Sequence, residues 1–371
     1  MADPARKSVV LVGGGHAHLF TLARLPELIR RGASVTLVTA TQYHYYSGMG
    51  PGMLAGTYHP EALRFDVRAQ AQRCGAACIV DRAVSLDPVR RLLFLAETQP
   101  IPYDIISFTI GSTVSLPDDN LADNIVPAKP IENLLRFREQ VRMQLAQGTP
   151  RLVVIGGGAA GVELAGNLER LVRSDRGMAY VSLVAGKRLL ERLPEKAGDL
   201  ARNSLENRKI EVIEGKRVVR LEFEGAMLDD GSLLPFHTAL AATGVVPPPL
   251  FRTSGLPVAE DGSMLVTDSL QCVNYPEILG GGDCISLAGK PLDRVGVYAV
   301  RQAPVIYANL VALLAGKDTV RFTPQARYLQ LLNLGDGTAL FIRGTTVFRG
   351  KSALFLKDYL DTSFVRKYQA G

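Results

Sequence analysis

Two glycine-rich stretches have the residue types and the spacing that bind a dinucleotide. The first reads VVLVGGGHAHLF from residue 9 to residue 20, and the second reads RLVVIGGGAAGVELAGNLERL from residue 151 to residue 171. Each follows an apolar, β-branched run and precedes a helical pattern, which is the context that a G-x-G-x-x-G turn requires. In such a turn, backbone N–H groups approach a pyrophosphate at the start of the helix. The repeat predicts two nucleotide-binding turns in one chain.

The two stretches differ at the third motif position. The three positions are Gly13, Gly15 and His18 in the first stretch, and Gly156, Gly158 and Gly161 in the second. Because the third glycine serves helix–strand packing and not the ligand, a histidine can replace it if its helix stands slightly away from the strand. The imidazole of His16 or His18 could then donate a hydrogen bond to a phosphate. The alternative is that His18 only packs against the strand.

Neither stretch is followed by the acidic residue that usually grips the adenosine ribose at the end of the second strand. Thr39 occupies this place in the first half and offers a hydroxyl group without charge. Ala185 occupies it in the second half, and Lys187 and Arg188 follow. These cations could accept the 2′-phosphate of NADPH, or they could simply be solvated. The sequence therefore predicts no strict preference for NADH.

Composition indicates a globular chain of two or three domains whose positive charge is concentrated at its end. The 371 residues are 47% hydrophobic, with a formal net charge of +6. Residues 341–371 hold six basic and two acidic side chains, which is +4 of that total. Such a tail favours an anionic membrane surface, and no nucleic-acid partner is expected. The polar opening MADPARKS favours a cytosolic address, and Pro304 and Asn309 interrupt the longest apolar run, so no transmembrane helix is expected.

The four cysteines are too few for a disulfide scaffold. Cys74 and Cys78 have a spacing that invites a metal or redox interpretation. However, Gly75 is expected to end a helix and ACIV to begin a strand, so the two thiols should point apart. No metal site is expected.

Further motifs give the chain a family resemblance. They are YDIISFTIGS (103–112), LAATGVVPPP (240–249), EILGGGDCISL (277–287) and YAVRQAP (298–304). Together with the two turns, they resemble the FAD-dependent pyridine nucleotide-disulfide oxidoreductase superfamily. The resemblance implies FAD and NAD(P)H as cofactors and assigns Asp283 to the ribityl chain of the flavin.

A missing motif indicates the branch of this superfamily. Disulfide reductases carry a redox cysteine pair after the second strand, where this chain reads YHYYSGMGPGMLAG (43–56). The chain therefore resembles the type II NADH dehydrogenase and sulfide:quinone oxidoreductase branch. Sulfide:quinone enzymes need two cysteines that meet over the flavin, which the empty interval from Cys78 to Cys272 disfavours. More narrowly, YSGMGPGMLAGTY, LQLLNLGDGTALFIRG and FRGKSALFLKDYLDTSFVRKY resemble the selenium-associated dehydrogenases found beside, or fused to, selenide, water dikinase.

The resemblance also implies the site residues. FAD is expected to contact Gly13, Gly14, Gly15, His16, Ala17, His18, Thr39, Ser47, Gly48, Ala83, Ile110, Gly111, Gly282, Asp283, Gln302 and Ala303. The nicotinamide nucleotide is expected to contact Gly156, Gly157, Gly158, Ala159, Ala160, Gly161, Lys187, Arg188 and Gly244. Glu163 is the candidate catalytic residue because it matches the family glutamate that approaches the nicotinamide end. Alternatively, it is a helix-start acid favoured by the helix dipole.

The implied activity passes two electrons from NAD(P)H to FAD and then to a diffusible acceptor, above all a quinone, without a cysteine relay. The alternatives are a sulfide- or selenide-type quinone reductase and a low-turnover flavin-binding redox sensor. Tyr45 and Tyr46 could shape the acceptor pocket or pack in the core. His44 and His59 are candidates for proton delivery to a quinone.

The predicted fold class is α/β, with two nested Rossmann-like domains. Residues 1–125 and 250–320 are expected to form the FAD domain and 126–249 the NAD(P)H domain, with a boundary at LPDDNLAD. Residues 321–371 are expected to form two strands joined at LGDGT and a helix from about Ala353. The apolar stripe of that helix is Ala353, Leu356, Leu360 and Phe364. It could dock on the protein itself, on a second copy in a homodimer, or on a membrane surface as a peripheral anchor.

Overall fold

The apolar runs before the two glycine-rich turns form interior strands of two sheets, and both pair in parallel with their neighbours. The computed structural model describes residues 6–116 and 122–369, and in it these runs are the strands Lys7–Val12 and Arg151–Ile155. Apart from their first residues, both strands are almost entirely buried. Strands covered on both faces read as continuous apolar runs, because neither face meets water. The boundary predicted at LPDDNLAD lies largely outside the described residues.

The elements are numbered in chain order. The strands are β1 Lys7–Val12, β2 Ala33–Thr39, β3 Tyr43–Tyr45, β4 Arg64–Asp66, β5 Ala77–Val80, β6 Ala83–Asp87, β7 Leu92–Leu95, β8 Ile101–Pro102, β9 Ile105–Phe108, β10 Thr113–Val114, β11 Ile125–Pro127, β12 Arg151–Ile155, β13 Tyr180–Ala185, β14 Glu211–Glu214, β15 Val218–Leu221, β16 Gly225–Leu228, β17 Leu233–Pro235, β18 Thr238–Ala241, β19 Val245–Val246, β20 Met264–Val266, β21 Gln271–Cys272, β22 Tyr275–Gly280, β23 Ile285–Leu287, β24 Gln330–Asn333, β25 Ala339–Arg343 and β26 Thr346–Gly350. The α-helices are α1 His16–Leu22, α2 Leu25–Arg30, α3 Gly50–Leu54, α4 Val67–Arg73, α5 Asn133–Leu145, α6 Ala159–Ser174, α7 Glu195–Glu206, α8 Leu250–Thr253, α9 Gly296–Leu314 and α10 Lys351–Gln369. Short 3-10 turns span Ser47–Met49, Pro60–Leu63 and Gly282–Cys284.

The larger sheet has eight strands in the order β23-β20-β21-β22-β9-β1-β2-β5. β1 pairs in parallel with β2 and β9, and β22 joins on the far side of β9. The chain leaves this sheet after β9 and returns to it at β20, so two separate stretches of sequence build it. The first glycine turn lies at the carboxyl end of β1, at the switch point where open α/β sheets bind their ligands.

The second sheet has five strands in the order β11-β18-β12-β13-β14, and all neighbours are parallel. Its strands come from the interval between residues 125 and 241. The second glycine turn joins β12 to α6, which packs against β12 and β13. A mostly parallel sheet and a fully parallel one, each with such a strand–turn–helix unit, confirm the predicted α/β, Rossmann-like fold class.

The C-terminal region has three strands, and the prediction of two is wrong. β24 and β25 pair across the LGDGT turn, and β26 pairs with β25 after a second tight turn. Gly344 supplies the positive φ of +58° in that second turn. The sequence hides β26 because TTVFRG has no alternating pattern of its own, and pairing with β25 stabilises it. Helix α10 follows at once from Lys351, earlier than the predicted start at Ala353.

Helix α10 docks on its own chain through part of the predicted apolar stripe, because Ala353 is buried and Phe364 packs against the core. Its buried residues are Ala353, Lys357, Asp361, Val365 and Tyr368. Leu360 of the predicted stripe is 44% exposed. Lys357 and Asp361 can be buried because they pair with each other, 3.1 Å apart.

Helix α9 is long and apolar enough to span a bilayer by length and composition. It continues through Pro304, which the sequence suggested would interrupt it. Its buried face packs against α1 and the eight-stranded sheet. Within that face, the Asn309 amide donates to the carbonyl oxygens of Ser269 and Val320. The structure therefore uses α9 to cover the larger sheet.

Candidate functional site

The first glycine turn is held tightly against the end of β9. Gly13 has a φ of +87°, and a Cβ there would lie 2.6 Å from the carbonyl oxygen of Thr109. A Cβ on Gly15 would overlap the same oxygen. A Cβ on Gly14 would lie 2.9 Å from the side chain of Val67. Packing alone therefore favours glycine at all three positions.

The imidazole of His18 does not reach a phosphate, which excludes one of the two alternatives that the sequence left open. The imidazole is fully buried, with Nδ1 2.7 Å from the carbonyl oxygen of Gly13 and Nε2 2.8 Å from the hydroxyl of Ser107. With both ring nitrogens paired inside the fold, none is left for a ligand. Burial lowers the pKa of His18 to about 4, so the ring is neutral. The structure shows the alternative, in which His18 packs against the strand.

In the second glycine turn, the backbone of the turn touches the backbone of the helix that follows it. Gly156 has a φ of +124°, and a Cβ on Gly161 would overlap the carbonyl oxygen of Gly156. A Cβ on Gly157 would overlap the Cβ of Ala185. Gly158, in contrast, has no heavy atom within 4 Å of an added Cβ and faces open space.

Asp283 lies in a charged cluster at the end of β22. The Lys129 ammonium and the Ser112 hydroxyl both donate to its Oδ2, each at 2.8 Å. Burial alone would raise the pKa of Asp283, but the charge of Lys129 and these two hydrogen bonds hold it below its ordinary value. The carboxylate is therefore ionised at neutral pH, with Lys129 as its counter-ion.

The glycines around this aspartate leave room for a ligand. Gln302 fixes the local backbone by accepting from the N–H of Gly282 at 2.7 Å. Gly111, with a φ of +68°, has no heavy atom within 4 Å of an added Cβ, and the same is true of Gly244. These open backbone positions fit the glycine-lined cradle that a dinucleotide requires.

For the other predicted cofactor contacts, the structure gives only the position of each residue in its helix, strand or turn, and these contacts stay predictions. The hydroxyl of Thr39 already donates to the carbonyl oxygen of Thr41 at 2.9 Å, which leaves only its lone pairs for a ribose. Ala17 and Ala303 are buried in α1 and α9. The positions at or next to the ends of elements are Ser47, Ala83, Ile110, Ala159 and Ala160.

The two cations after β13 already have partners. Arg188 donates to the carbonyl oxygens of Leu189, Glu191 and Leu193, so it shapes its own loop, contrary to the prediction that it serves a 2′-phosphate. The Lys187 side chain is 63% exposed and pairs with the Glu191 carboxylate at 2.9 Å. Such an exposed pair is weak and can exchange partners.

Glu163 lies in a buried cluster of charges between α6 and α10. Its Oε1 accepts from the backbone N–H of Asn333 at 2.7 Å and is 3.8 Å from the Lys357 ammonium. Lys357 also pairs with Asp361 and donates to the carbonyl oxygen of Gly48 at 2.9 Å. Burial raises the pKa of Glu163 to about 7, against the opposing charge of Lys357. A carboxyl group with this pKa can hold or release a proton at neutral pH.

Tyr46 connects this cluster to the predicted flavin segment. Its hydroxyl donates to Asp361 at 3.0 Å. Its ring lies so close to Gly48 that a Cβ on Gly48 would be 2.8 Å from a ring carbon. Burial and the charge of Asp361 raise the pKa of Tyr46, so the phenol stays protonated. Tyr45, in contrast, packs in the core.

Sequence reading missed four members of these clusters. They are Lys129, Asn333, Lys357 and Asp361. Lys357 and Asp361 left a weak signal, because opposite charges four residues apart interrupt the apolar pattern of a helix. Lys129 and Asn333 left none, since each lies more than 150 residues from its partner in the chain.

Of the two candidate proton donors, His44 lies inside the fold and His59 does not. His44 Nε2 is 3.2 Å from His16 Nδ1. The His59 side chain is 82% exposed and pairs with Glu61, so it is wrongly placed to serve a buried acceptor.

The four cysteines are free thiols, and none lies in residues 43–56, where disulfide reductases carry their redox pair. Cys272 and Cys284 are buried, and burial raises the pKa of both thiols to about 12. A thiol that stays protonated is a poor nucleophile.

Comparison with known proteins agrees with this geometry. A sequence model of the pyridine nucleotide-disulphide oxidoreductases matches residues 7–305. The type II NADH:quinone oxidoreductase of Staphylococcus saprophyticus is 24% identical, over 98% of this chain and 96% of that protein. The sulfide:quinone oxidoreductase of Aquifex aeolicus superposes with a TM-score of 0.82 at 18% identity, covering 98% of this chain and 92% of that one. NDH2 of Plasmodium falciparum, solved in complex with NADH, superposes with a TM-score of 0.81 at 12% identity, covering 98% of each chain.

The matched family covers most of the chain, including both glycine turns and Asp283, and confirms the resemblance seen in the sequence. It also makes FAD and a nicotinamide nucleotide the cofactors. The narrower likeness to selenium-associated dehydrogenases stays a prediction. This chain belongs to the pyridine nucleotide-disulphide oxidoreductase family.

Proposed function

We propose that this protein is an FAD-dependent NAD(P)H dehydrogenase that reduces a quinone. The net reaction converts NAD(P)H, a quinone and one proton into NAD(P)⁺ and a quinol. FAD and the nicotinamide supply the hydride chemistry when bound, so the chain must bind them, orient them and manage one proton. The buried Glu163 cluster is the observation that carries this proposal, and the name of the staphylococcal relative supports the quinone.

The two units divide the binding work in this proposal. The eight-stranded unit, with the first turn and Asp283, binds FAD. The five-stranded unit, with the second turn, binds the nicotinamide nucleotide. The predicted domain bounds of 1–125 with 250–320, and 126–249, describe this division.

Glu163 is the group that holds the proton. It is buried, its pKa is near neutrality, and Lys357 joins it to the carbonyl oxygen of Gly48, a predicted flavin contact. Lys357 keeps its charge, because the carboxylates of Glu163 and Asp361 outweigh the effect of burial and raise its pKa. A proton released from Glu163 therefore leaves behind a carboxylate that Lys357 stabilises.

The electrons leave without a thiol step. Such a step needs an ionised thiol beside the flavin, whereas burial suppresses ionisation of Cys272 and Cys284. The same argument disfavours a sulfide-type reaction, although the Aquifex aeolicus structure shares the fold. Replacing all four cysteines with alanine is expected to leave turnover with a quinone analogue within about twofold.

The outer face of α10 gives the protein a membrane-facing surface in this proposal. Phe355 is 75% exposed, Tyr359 61% and Leu360 44%, and Arg366 and Lys367 are also exposed. Aromatic side chains next to cations suit the interface of an anionic bilayer, where a lipid-soluble quinone is found. Replacing the three apolar residues with serine should abolish binding to anionic liposomes and spare turnover with a water-soluble quinone analogue.

The decisive experiment is Glu163→Gln. We expect kcat with a quinone analogue to fall about tenfold or more and to lose its dependence on a group with a pKa near 7, while NADH still bleaches the flavin anaerobically. Glu195→Gln is the matched control, because Glu195 is an exposed acid at the start of α7. Glu163 lies beyond the first turn of α6, so an unchanged pH profile in Glu163→Gln would make it a structural partner of Lys357 and remove the proton site from the proposal.

A further inference from the structure

His16 and His44 form a hydrogen-bonded pair that the proposed proton site does not use. The two bonded nitrogens are 3.2 Å apart, and the rings meet edge to face with centroids 4.9 Å apart. His16 also packs against Tyr46 and Phe364, with centroids at 5.2 and 5.9 Å. These contacts fix the orientation of an imidazole that directly follows Gly15 of the first turn.

Both imidazoles are neutral. Burial lowers the pKa of His16 to about 4, and burial together with His16 holds the pKa of His44 well below its ordinary value. The charged groups that act on the pair are Asp283 and Lys129, which oppose each other. A neutral imidazole has one N–H and one lone pair, so one ring donates to the other.

The Nε2 atom of His16 has no partner. It is buried, and no group of the described residues lies within hydrogen-bond distance of it, whichever nitrogen carries the proton. Native proteins rarely leave a buried polar atom unpaired. The turn next to His16 is of the kind that receives a pyrophosphate, whose oxygens accept hydrogen bonds. The missing partner is therefore expected to be an acceptor.

We propose that His16 donates from Nε2 to an acceptor atom of bound FAD, and that His44 is the positioning residue that keeps His16 in this tautomer. His44 does so by donating from its own Nε2 to Nδ1 of His16, which leaves the single proton of His16 on Nε2. The inference rests on the proposed function only in placing FAD at the first turn.

The test measures FAD binding to the deflavinated protein by the change in flavin fluorescence. His16→Phe and His44→Phe are each expected to weaken FAD binding about tenfold, the usual loss for one hydrogen bond to an anionic ligand. The double variant should be no weaker than either single variant, because both changes remove the same contact. His44→Gln should stay within about twofold of the parent protein, since its amide can donate where the imidazole Nε2 does.

Several outcomes would overturn the assignment. They are an unchanged affinity in His44→Phe, losses that multiply in the double variant, and a His44→Gln variant as weak as His44→Phe. His59→Gln is the matched surface control and should bind FAD normally. If the variants unfold, nitrogen NMR of the ¹⁵N-histidine holoprotein decides, because His16 must carry its proton on Nε2 and not on Nδ1. FAD binding without quinone turnover would refute the proposed function and leave this inference intact.

Discussion

The two glycine turns meet the same packing requirement in different ways. In the second turn, Gly161 lets α6 close onto the backbone, so that even a methyl group would overlap the carbonyl oxygen of Gly156. In the first turn, the helix leaves space for an imidazole, and His18 bonds the carbonyl oxygen of Gly13. Because a carbonyl only accepts, Nδ1 of His18 donates to it and Ser107 donates to Nε2.

The comparison shows that the third motif position belongs to the fold and not to the ligand. A glycine there needs no partner, whereas a histidine needs Ser107, which lies 89 residues away in the chain. His18 and Ser107 therefore act as one unit. Variants can distinguish this hydrogen-bonded pair in the first turn from the close glycine contact in the second.

The largest effect is expected from Gly161→Ala. The new methyl group would overlap backbone that cannot move without opening the turn, so we expect a loss of about 3 kcal/mol or more in the free energy of unfolding. Nicotinamide-dependent bleaching of the flavin should disappear while bound FAD remains. Gly158→Ala is the matched control: its methyl group meets open space, so stability should hold and only nucleotide affinity should fall. Equal melting temperatures for the two variants would contradict this account.

A smaller effect is expected from His18→Leu in the first turn. The change keeps the volume of the side chain but leaves the Ser107 hydroxyl without a partner and the Gly13 carbonyl oxygen with only the Thr109 hydroxyl, 3.1 Å away, which costs about 2 kcal/mol. Denaturant unfolding measures this loss. Adding Ser107→Ala to His18→Leu should recover part of it, because an apolar pair leaves fewer unsatisfied groups. If the second change adds its full cost instead, the two residues do not form a unit.

The turns should also differ in their response to acid. The folded pKa of His18 is lowered to about 4 from an ordinary value of 6.5, so its contribution to stability is complete above pH 6.5 and is lost as pH falls toward 4. Between pH 6 and pH 5 this amounts to about 1 kcal/mol. His18→Leu should flatten the pH dependence by that amount, whereas His16 and His44 contribute equally to both proteins. Parallel stability curves for the parent and the variant would refute the assignment.

The smallest effect concerns the choice between NADH and NADPH at the second turn. Glu191→Gln releases Lys187 from its partner, and we expect the KM for NADPH to fall less than about fivefold, with no change for NADH. Salt should remove the difference, because the site is exposed. An equal change in both KM values would show that Lys187 does not approach the 2′-phosphate.

Local patterns predicted the parts of the site that the chain builds over short distances. Both turns and the segment around Gly48 are strand–turn–helix features, and Asp283 lies in a short turn between β22 and β23. The spacing of each is visible in one stretch of sequence. The ion pairs of Lys129 and Lys357 are not visible in this way, because only the return of the chain to the larger sheet and the docking of α10 bring them to their partners.

The C-terminal prediction failed for a physical reason. It placed the apolar stripe of α10 against the protein, whereas the buried face combines Ala353 of that stripe with Lys357 and Asp361, and Leu360 is exposed. The charge of Lys357 can be buried here because Asp361 and Glu163 are its partners. A stripe of charges on a helix can therefore mark a site in the same way that an apolar stripe marks a core.

Helix α10 also limits how the protein can be engineered. Phe355 faces outward, whereas Lys357, two residues later, faces Glu163. The exposed apolar face and the buried charged face therefore belong to one helix about 10 Å in diameter. Deleting α10 would remove Lys357, the counter-charge of Glu163, and expose this carboxyl group to water. If the outer face of α10 binds the membrane as proposed, a variant that stays in solution has to be made by replacing the exposed side chains of α10 and not by deleting the helix.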